Sequence, residues 1–213
     1  MKMHKGVYVR EGTYDTYVVN EIERCYGQLD VKDKVVFDIG ANIGAFTVWA
    51  LDHGAAHVHA FEPLPANYHM LLVNCTKRDN CELYETAVTV DTGETQIWYV
   101  PNGKNPGNTS QYIQRGRKQA VVKTLGFKNL LESYRPSVLK VDVEGAEYDW
   151  LRGDTLPMFV KQVAVELHMT KKEWRNELAP ALANSFHSKY EWDTIRAPKL
   201  YGGNWQTMGV WKR

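Results

Sequence analysis

The sequence predicts an α/β fold, in which a mainly parallel sheet is covered by helices on both faces. Strand-like and helix-like segments alternate along the chain, as in repeated β-α-β units. The apolar runs at 35–39 and 57–61 have the composition of strands buried on both faces. Residues 190–195 and 206–211 are expected to form a closing antiparallel pair.

The first half of the chain supplies two of these units. Residues 14–29 have the pattern of an amphipathic helix that ends at Gly27 or shortly after. Pro65 suits the first turn of a helix, and Asp91-Thr92-Gly93 predicts a turn that ends a strand. The elements predicted here are strands at 35–39, 57–61, 82–90 and 95–100, and helices at 14–29, 44–53 and 65–78.

The second half continues the alternation after a segment rich in turn-forming residues at 101–108. Apolar runs predict the two later core strands, and Pro180 is expected to kink or divide the last helix. The elements predicted here are strands at 120–124, 138–143 and 160–167, and helices at 127–133 and 171–185.

The segment Val35 to Gly44 is the most informative motif. It reads as a strand, a glycine turn and a helix start, with Asp38 near the end of the strand, where open α/β sheets bind ligands. The dinucleotide fingerprint requires a second glycine where this chain has Asn42. A carboxylate here would repel a pyrophosphate but attract an ammonium group, which favours S-adenosylmethionine over NAD. The alternative is an ordinary strand-to-helix turn.

Glu62 supports the same interpretation. It ends the second core strand, about 20 residues beyond Gly40, where an acid that binds ribose hydroxyls is expected. The alternative is a solvated acid that precedes the helix near Pro65. Together with the first motif, Glu62 favours a cofactor that contains a ribose.

These motifs resemble those of the FkbM-type methyltransferases, which are class I enzymes that use S-adenosylmethionine. The resemblance covers about residues 10 to 170 and is most specific at Lys140-Val141-Asp142-Val143-Glu144-Gly145-Ala146-Glu147. The other matching segments are Thr13 to Asp15, Glu21-Ile22, Phe37 to Gly44, Phe61 to Pro63, Leu72 to Asn74, Ala87-Val88 and Val165 to His168.

The resemblance implies a Rossmann-like class I methyltransferase fold, with a mainly parallel seven-stranded sheet and an antiparallel C-terminal strand. We expect one domain over residues 1–213, with a helical lead-in at 1–33. S-adenosyl-L-methionine is the expected cofactor. Its expected binding residues are Asp38, Gly40, Ala41, Asn42, Gly44, Glu62, Pro63, Ala87 and Asp142.

Two strand-end residues are the expected catalytic groups. Glu144 follows the fourth core strand and His168 follows the fifth, so both can face one cleft. Methyl transfer requires an aimed nucleophile and removal of a proton, which a carboxylate or an imidazole can accept. Structural roles at a turn or a helix start are the alternatives for both residues.

A metal ion is a further alternative at the same strand ends. Asp142, Glu166 and His168 offer carboxylate and imidazole ligands, which are compatible with several transition metals. Three ligands from two strands are a weak pattern, so the sequence analysis assigns no metal.

The segment 101–120 is the expected substrate loop. Loops of this length in compact domains often bind ligands or act as lids, although a solvated insertion is the alternative. Its many polar side chains suit a hydroxylated acceptor such as a sugar.

Composition narrows the choice of function. A net charge of +1 provides no long-range attraction to nucleic acid or membranes. The segment after Asp142 also lacks the Asn/Asp-Pro-Pro-aromatic motif of base methylation. We therefore expect O-methylation of a small molecule or a glycan, with nucleic-acid methylation, protein methylation and a non-catalytic binding module as alternatives.

The cysteine pattern and the N-terminal segment bear on location. Three cysteines without a C-x-x-C pair indicate thiols in a reducing compartment rather than a disulfide framework or a zinc site. We see no signal peptide and no membrane-spanning run, so a cytoplasmic location is expected. The oligomeric state is left open.

Overall fold

The computed structural model describes residues 1–99, 109–110, 118–169, 171–195, 199–201 and 204–213. The helices are α1 (Asp15–Tyr26), α2 (Ala45–Asp52), α3 (Pro65–Cys75), α4 (Phe127–Tyr134), α5 (Glu147–Trp150) and α6 (Ala179–His187). The strands are β1 (Lys2–His4), β2 (Val7–Val9), β3 (Val35–Ile39), β4 (His57–Phe61), β5 (Cys81–Tyr84), β6 (Ala87–Thr89), β7 (Gly93–Tyr99), β8 (Thr109–Ser110), β9 (Lys118–Gly126), β10 (Val138–Val141), β11 (Gln162–Met169), β12 (Glu191–Ile195), β13 (Lys199–Tyr201) and β14 (Asn204–Lys212).

The central sheet has the strand order β12-β14-β11-β10-β3-β4-β5, and β13 pairs with β14 at one edge. Strands β5, β4, β3, β10 and β11 run parallel, whereas β14 is antiparallel to β11. The predicted α/β fold with a mainly parallel sheet is confirmed, and β13 adds an eighth strand to the seven expected. The strand order reverses at β3, which lies between β4 and β10, so ligands are expected beyond the carboxyl end of β3.

Residues 82–90 form two strands rather than the single strand predicted. β5 lies at the edge of the central sheet, whereas β6 joins a second sheet with the order β6-β9-β7-β8. Thr86 lies between them, and its hydroxyl donates a hydrogen bond to the carbonyl of Lys123, 2.9 Å away. This contact holds the chain against β9 and directs it out of the central sheet.

The expected substrate loop lies mostly outside the described residues, at 101–108 and 111–117. Thr109–Ser110 pairs with the end of β7, and β9 already begins at Lys118. The described ends of the segment are therefore strands of the second sheet, and a role for this segment in substrate binding stays a prediction.

The lead-in contains a hairpin that the sequence analysis does not anticipate. β1 and β2 pair across Lys5 and Gly6, whose φ angles are 47° and 80°. Two successive positive φ angles are typical of a tight hairpin turn. Val7 and Val9 are buried, which explains why strands of only three residues are retained.

The last predicted helix is not divided at Pro180: residues 172–187 are helical without a break. A π-helical segment spans Trp174–Leu178, and α6 follows it directly. Pro180 lies in the first turn of α6, directly after the π-helical segment, so the local change in helix geometry accompanies the proline.

Two apolar clusters cover the faces of the central sheet. One includes side chains of α1, α2 and α3, and the other includes side chains of α4 and α6. Among the described residues, no helix is long and apolar enough to cross a membrane.

Candidate active site

The turn after β3 depends on the left-handed backbone of Gly40. Its φ is +79°, and a Cβ built there would lie 1.8 Å from the carbonyl oxygen of Asp142. The amides of Gly40 and Ala41 both donate to the carbonyl of Phe61, at 3.0 and 2.9 Å. Any side chain at Gly40 would therefore collide with the neighbouring strand end and open the turn.

Asp38 lies beneath this turn and is completely buried. The Thr47 hydroxyl donates to its Oδ2 at 2.7 Å, and Lys140 Nζ lies 3.1 Å from its Oδ1. Lys140 Nζ also donates to the Gly40 carbonyl at 2.6 Å. Burial disfavours the charged amine, but Asp38 and Asp142 outweigh it and raise the pKa of Lys140. The charge of Asp38 is thus already balanced within the protein, and its direct contact with a cofactor stays a prediction.

Glu62 is buried, and backbone amides hold its carboxylate. The amide of Asn42 donates to Oε2 and the amide of Leu64 donates to Oε1, both at 2.9 Å. The Asn67 side chain is 3.5 Å from Oε1. Burial outweighs these hydrogen bonds and raises the pKa of Glu62 to about 7. Because a carboxylate oxygen can accept more than one hydrogen bond, both oxygens keep capacity for a ligand.

Two clefts meet at the turn and share Gly40, Asn42 and Asp142. Including space open to solvent, they enclose about 880 and 590 Å³. The first cleft lies between α1 and the turn, and its polar lining includes Glu21, Arg24, Lys140 and Glu166. The second cleft is lined by Ile39, Phe61, Glu62, Pro63, Thr86, Ala87, Val88, Thr89, Ile97, Val143, Glu144 and Ala146.

Most of the predicted cofactor residues line a cleft, and two lie behind the lining. Those that line a cleft are Gly40, Ala41, Asn42, Glu62, Pro63, Ala87 and Asp142. Asp38 and Gly44 lie behind the lining. Gly44 has a φ of +85°, and a Cβ there would lie 2.7 Å from Cδ1 of Leu71, so this glycine lets α2 approach α3.

His168 and Glu144, the expected catalytic pair, lie close together. Nε2 of the buried His168 is 3.7 Å from Oε2 of Glu144 and 3.8 Å from Oδ1 of Asp142. Glu144 has a φ of 53°, and the left-handed Glu144-Gly145 turn brings its side chain back towards β11. Burial lowers the pKa of His168, but Glu144 and Glu147 outweigh it and hold that pKa well above its ordinary value.

Glu147 is a site residue to which the sequence analysis assigns no role. It is fully buried, and its Oε1 accepts from the His168 amide at 3.0 Å and lies 3.3 Å from Nδ1 of the same residue. Its Oε2 accepts from the amide of Gly145 at 2.8 Å. Glu147 therefore orients the His168 ring so that Nε2 faces Asp142 and Glu144. Its position in the specific string Lys140 to Glu147 is the signal that could have found it.

Glu166 completes the acidic group at the strand ends. Burial and the charge of Asp142 raise the pKa of Glu166 to about 8. Ligand atoms of Asp142, Glu166 and His168 all lie within 4.8 Å of one another. The structure therefore brings together the three residues that the sequence analysis weighed as metal ligands.

Comparison with known proteins identifies the family. The family model described as the methyltransferase FkbM domain matches residues 38–193. This chain belongs to that family. The predicted methyltransferase family is thus confirmed, and with it the predicted cofactor, S-adenosylmethionine.

Two curated relatives and one solved structure resemble the chain. The hexuronic acid methyltransferase AglP of Haloferax volcanii is 30% identical over 64% of this chain and 57% of its own length. The 31-O-demethyl-FK506 methyltransferase FkbM of Streptomyces tacrolimicus is 36% identical over 38% of this chain and 33% of its own length. The crystal structure of the methyltransferase FkbM from Methylobacillus flagellatus has a TM-score of 0.57, 17% identity, and coverage of 91% of this chain and 47% of its own.

The chain thus spans between one third and three fifths of the length of these curated relatives. The structural likeness, at 17% identity, confirms the fold alone. The matched range 38–193 contains every predicted site residue, from Asp38 to His168.

Proposed function

We propose that this chain transfers the methyl group of S-adenosylmethionine to a hydroxyl group of a small molecule or a glycan. The observation that carries the proposal is the group of proton-accepting side chains at the strand ends. Asp142 and Glu144 line the clefts beside the Gly40 turn. A hydroxyl must lose its proton as its oxygen attacks the methyl carbon, so it needs such a group nearby.

The relatives support an acceptor with hydroxyl groups. One is named for hexuronic acid and the other for the 31-O position of demethyl-FK506. No strongly basic surface is implied by a chain with a net charge of +1, which argues against nucleic acid as the acceptor. A small hydroxylated molecule or a glycan is the acceptor class that fits both observations.

The cofactor is proposed to cross the turn between the two clefts. In this arrangement the Glu62 carboxylate accepts hydrogen bonds from the ribose hydroxyls, and adenine lies beside Phe61, Ala87 and Val88 in the largely apolar second cleft. The methionine end passes Gly40, where the backbone can approach it closely because there is no side chain. Asp142 then faces the ammonium group, and Asp38 contributes indirectly by holding Lys140 beneath the turn.

The transfer step is an in-line displacement. The acceptor oxygen forms a bond to the methyl carbon, the bond from that carbon to sulfur breaks, and its electron pair remains on sulfur as S-adenosylhomocysteine forms. We assign Glu144 as the acceptor of the hydroxyl proton. Glu144 and Glu147 hold the pKa of His168 well above its ordinary value, which favours its protonated form, so we assign His168 to positioning the Glu144 and Asp142 carboxylates.

Metal-assisted transfer is the second candidate, favoured by the convergence of Asp142, Glu166 and His168 within 4.8 Å. Histidine ligands of metals usually donate their other ring N–H to a carboxylate, and Glu147 lies at Nδ1 of His168 in that position. A divalent ion bound there would orient the acceptor oxygen and lower the pKa of its hydroxyl.

The experiment is a transfer assay with S-adenosylmethionine that carries a radiolabelled methyl group. Acceptors would be hexuronic acid glycans, hydroxylated macrolides, tRNA, DNA and peptides. We expect label in the glycan or macrolide fraction, in alkali-stable ether linkage. Label confined to RNA or DNA, with a steep dependence on salt, would contradict the proposed acceptor class.

A chelator decides between the two mechanisms in the same assay. If Glu144 acts as the base without a metal, activity survives dialysis against EDTA. Loss of activity in EDTA, with recovery on addition of one divalent metal, would show that the transfer depends on a metal and would replace the metal-free mechanism.

A further inference from the structure

A second group of side chains that could bind a metal ion lies on β4 and β5, away from the clefts. His57 and His59 are two residues apart on β4, so their side chains share one face of the sheet. Glu82 on β5 is paired in register with His59, which places its side chain on the same face. The parallel pairing of two neighbouring strands thus brings two imidazoles and one carboxylate together.

The candidate ligand atoms in this group lie close together, and one pair is at the spacing of a metal site. Ligand atoms of His57, His59 and Glu82 all lie within 4.8 Å of one another. Nδ1 of His59 is 3.5 Å from Oε2 of Glu82. Two ligand atoms on a tetrahedral zinc ion are about 3.4 Å apart, as follows from bond lengths of about 2.1 Å.

The surroundings also suit a bound ion. Nε2 of His57 is buried and has no hydrogen-bond partner among the described residues, although its ring packs 4.6 Å from that of His59. A buried imidazole nitrogen without a partner is costly, and a metal would satisfy it. The Tyr84 hydroxyl donates to Glu82 and is 3.1 Å from the Tyr134 hydroxyl. Hydrogen bonds of this kind fix the orientation of metal-ligating carboxylates.

We propose that His57, His59 and Glu82 bind a transition-metal ion of the zinc class. Two imidazoles and a carboxylate are a ligand set that zinc accepts, with one position left for water. The site is separate from the clefts, because His57 begins β4 and Phe61 ends it, roughly 13 Å further along the strand. A bound ion would connect β4 to the edge strand β5, and the chain then leads from β5 to Thr86 and Ala87 at the second cleft.

The test is a calorimetric titration of the metal-free protein with zinc chloride, compared between wild type and variants. Glu82→Gln removes the charged ligand at a half-exposed position of the edge strand, where the fold should tolerate the change. His57→Ala removes an imidazole. His69→Ala is the matched control, because His69 is an exposed histidine on α3. We expect zinc affinity at one site to fall at least tenfold in the first two variants and to be unchanged in the control.

A second titration separates this site from the acidic group beside the turn. His168→Asn should leave the zinc site at His57 intact, so a tenfold loss caused by Glu82→Gln must persist in the double variant. Zinc should also raise the melting temperature of wild type and of His69→Ala to the same extent, and that of Glu82→Gln by less. The proposal is overturned if wild type binds no zinc, or if Glu82→Gln and His57→Ala bind it with the affinity and stoichiometry of wild type.

Discussion

Two groups of charged side chains flank the Gly40 turn, and they differ in how their charge is balanced. Beneath the turn, Asp38 and Lys140 form a buried pair, with further hydrogen bonds from Thr47 and to Gly40. Beyond the turn, the carboxylates of Asp142, Glu144, Glu147 and Glu166 surround the single imidazole of His168. Matched charge stabilises a structure, whereas an excess of acid is able to accept a proton or a cation. The first group therefore supports the turn, and the second is where we place the chemistry.

The largest effect is expected on turnover, from changes in the acidic group around His168. Loss of a general base typically costs 10²–10⁴-fold in rate, roughly 3–5 kcal/mol of barrier. Glu144→Ala should therefore lose turnover in the radiolabel assay while calorimetry shows unchanged cofactor affinity. His168→Ala should also lose turnover, because the Glu144 carboxylate is then no longer positioned. Glu132→Ala, at an exposed position on α4, is the control and should be fully active. Wild-type rates in both variants would remove the catalytic assignment.

A large loss of protein stability is expected from changes in the buried Asp38–Lys140 pair. Lys140→Met leaves Asp38 buried without its cation, which typically costs about 3–5 kcal/mol in the free energy of unfolding. Lys34→Met is the control, because its partner Asp30 is exposed and such surface pairs contribute at most about 1 kcal/mol. Urea unfolding measures both. Equal losses in the two variants would show that the Asp38–Lys140 pair does not support the turn.

An effect on cofactor binding is expected at Glu62, whose carboxylate is held by amides rather than by a cation. Above pH 7, where the Glu62 carboxylate is charged, Glu62→Ala removes two proposed hydrogen bonds to the ribose, each worth roughly 1.5–3 kcal/mol. Calorimetry should therefore show cofactor affinity reduced about a hundredfold or more. Glu85→Ala, at an exposed position beyond β5, should bind as wild type does. Unchanged affinity in Glu62→Ala would place the ribose elsewhere.

The most gradual effect is a pH dependence of stability. Burial raises the pKa of Glu62 from its ordinary 4.5 to about 7, so between these values the folded state holds a proton that the unfolded state has released. The contribution of Glu62 to the free energy of unfolding should fall as pH rises through this window, by roughly 3 kcal/mol in total. The difference between wild type and Glu62→Gln, measured by urea unfolding at several pH values, isolates this slope. A difference that is flat from pH 4.5 to 7 would contradict it.

The structure contains most of the helices and strands that were predicted from apolar runs and from the alternation of strand-like and helix-like segments. β3 and β4 have the predicted bounds, and α2 begins one residue from its predicted start. Such runs are visible in sequence because strands buried on both faces need continuous apolar residues. The break between β5 and β6 and the hairpin of β1 with β2 could not be predicted in this way. They depend on contacts with β9 and with the core, which are distant in sequence.

The features of the site also differ in whether local sequence predicts them. Residues that line the clefts come from motifs whose spacing is local, such as the turn at Gly40 and the acid at Glu62. Asp38 pairs with Lys140, which is 102 positions further along the sequence. His168 pairs with Glu147, which is 21 positions earlier. Local spacing carries no information about such pairs.

The amino-acid sequence is therefore sufficient for the family, the sheet and the group of residues from which the site is built. It is sufficient because glycine turns, strand-end acids and apolar periodicity are local requirements of this backbone. The protonation states and the pairing of those residues are decided only by the tertiary structure. Burial and neighbouring charge set the pKa values of Glu62, Glu166 and His168, and both arise when distant strands meet at one edge of the sheet.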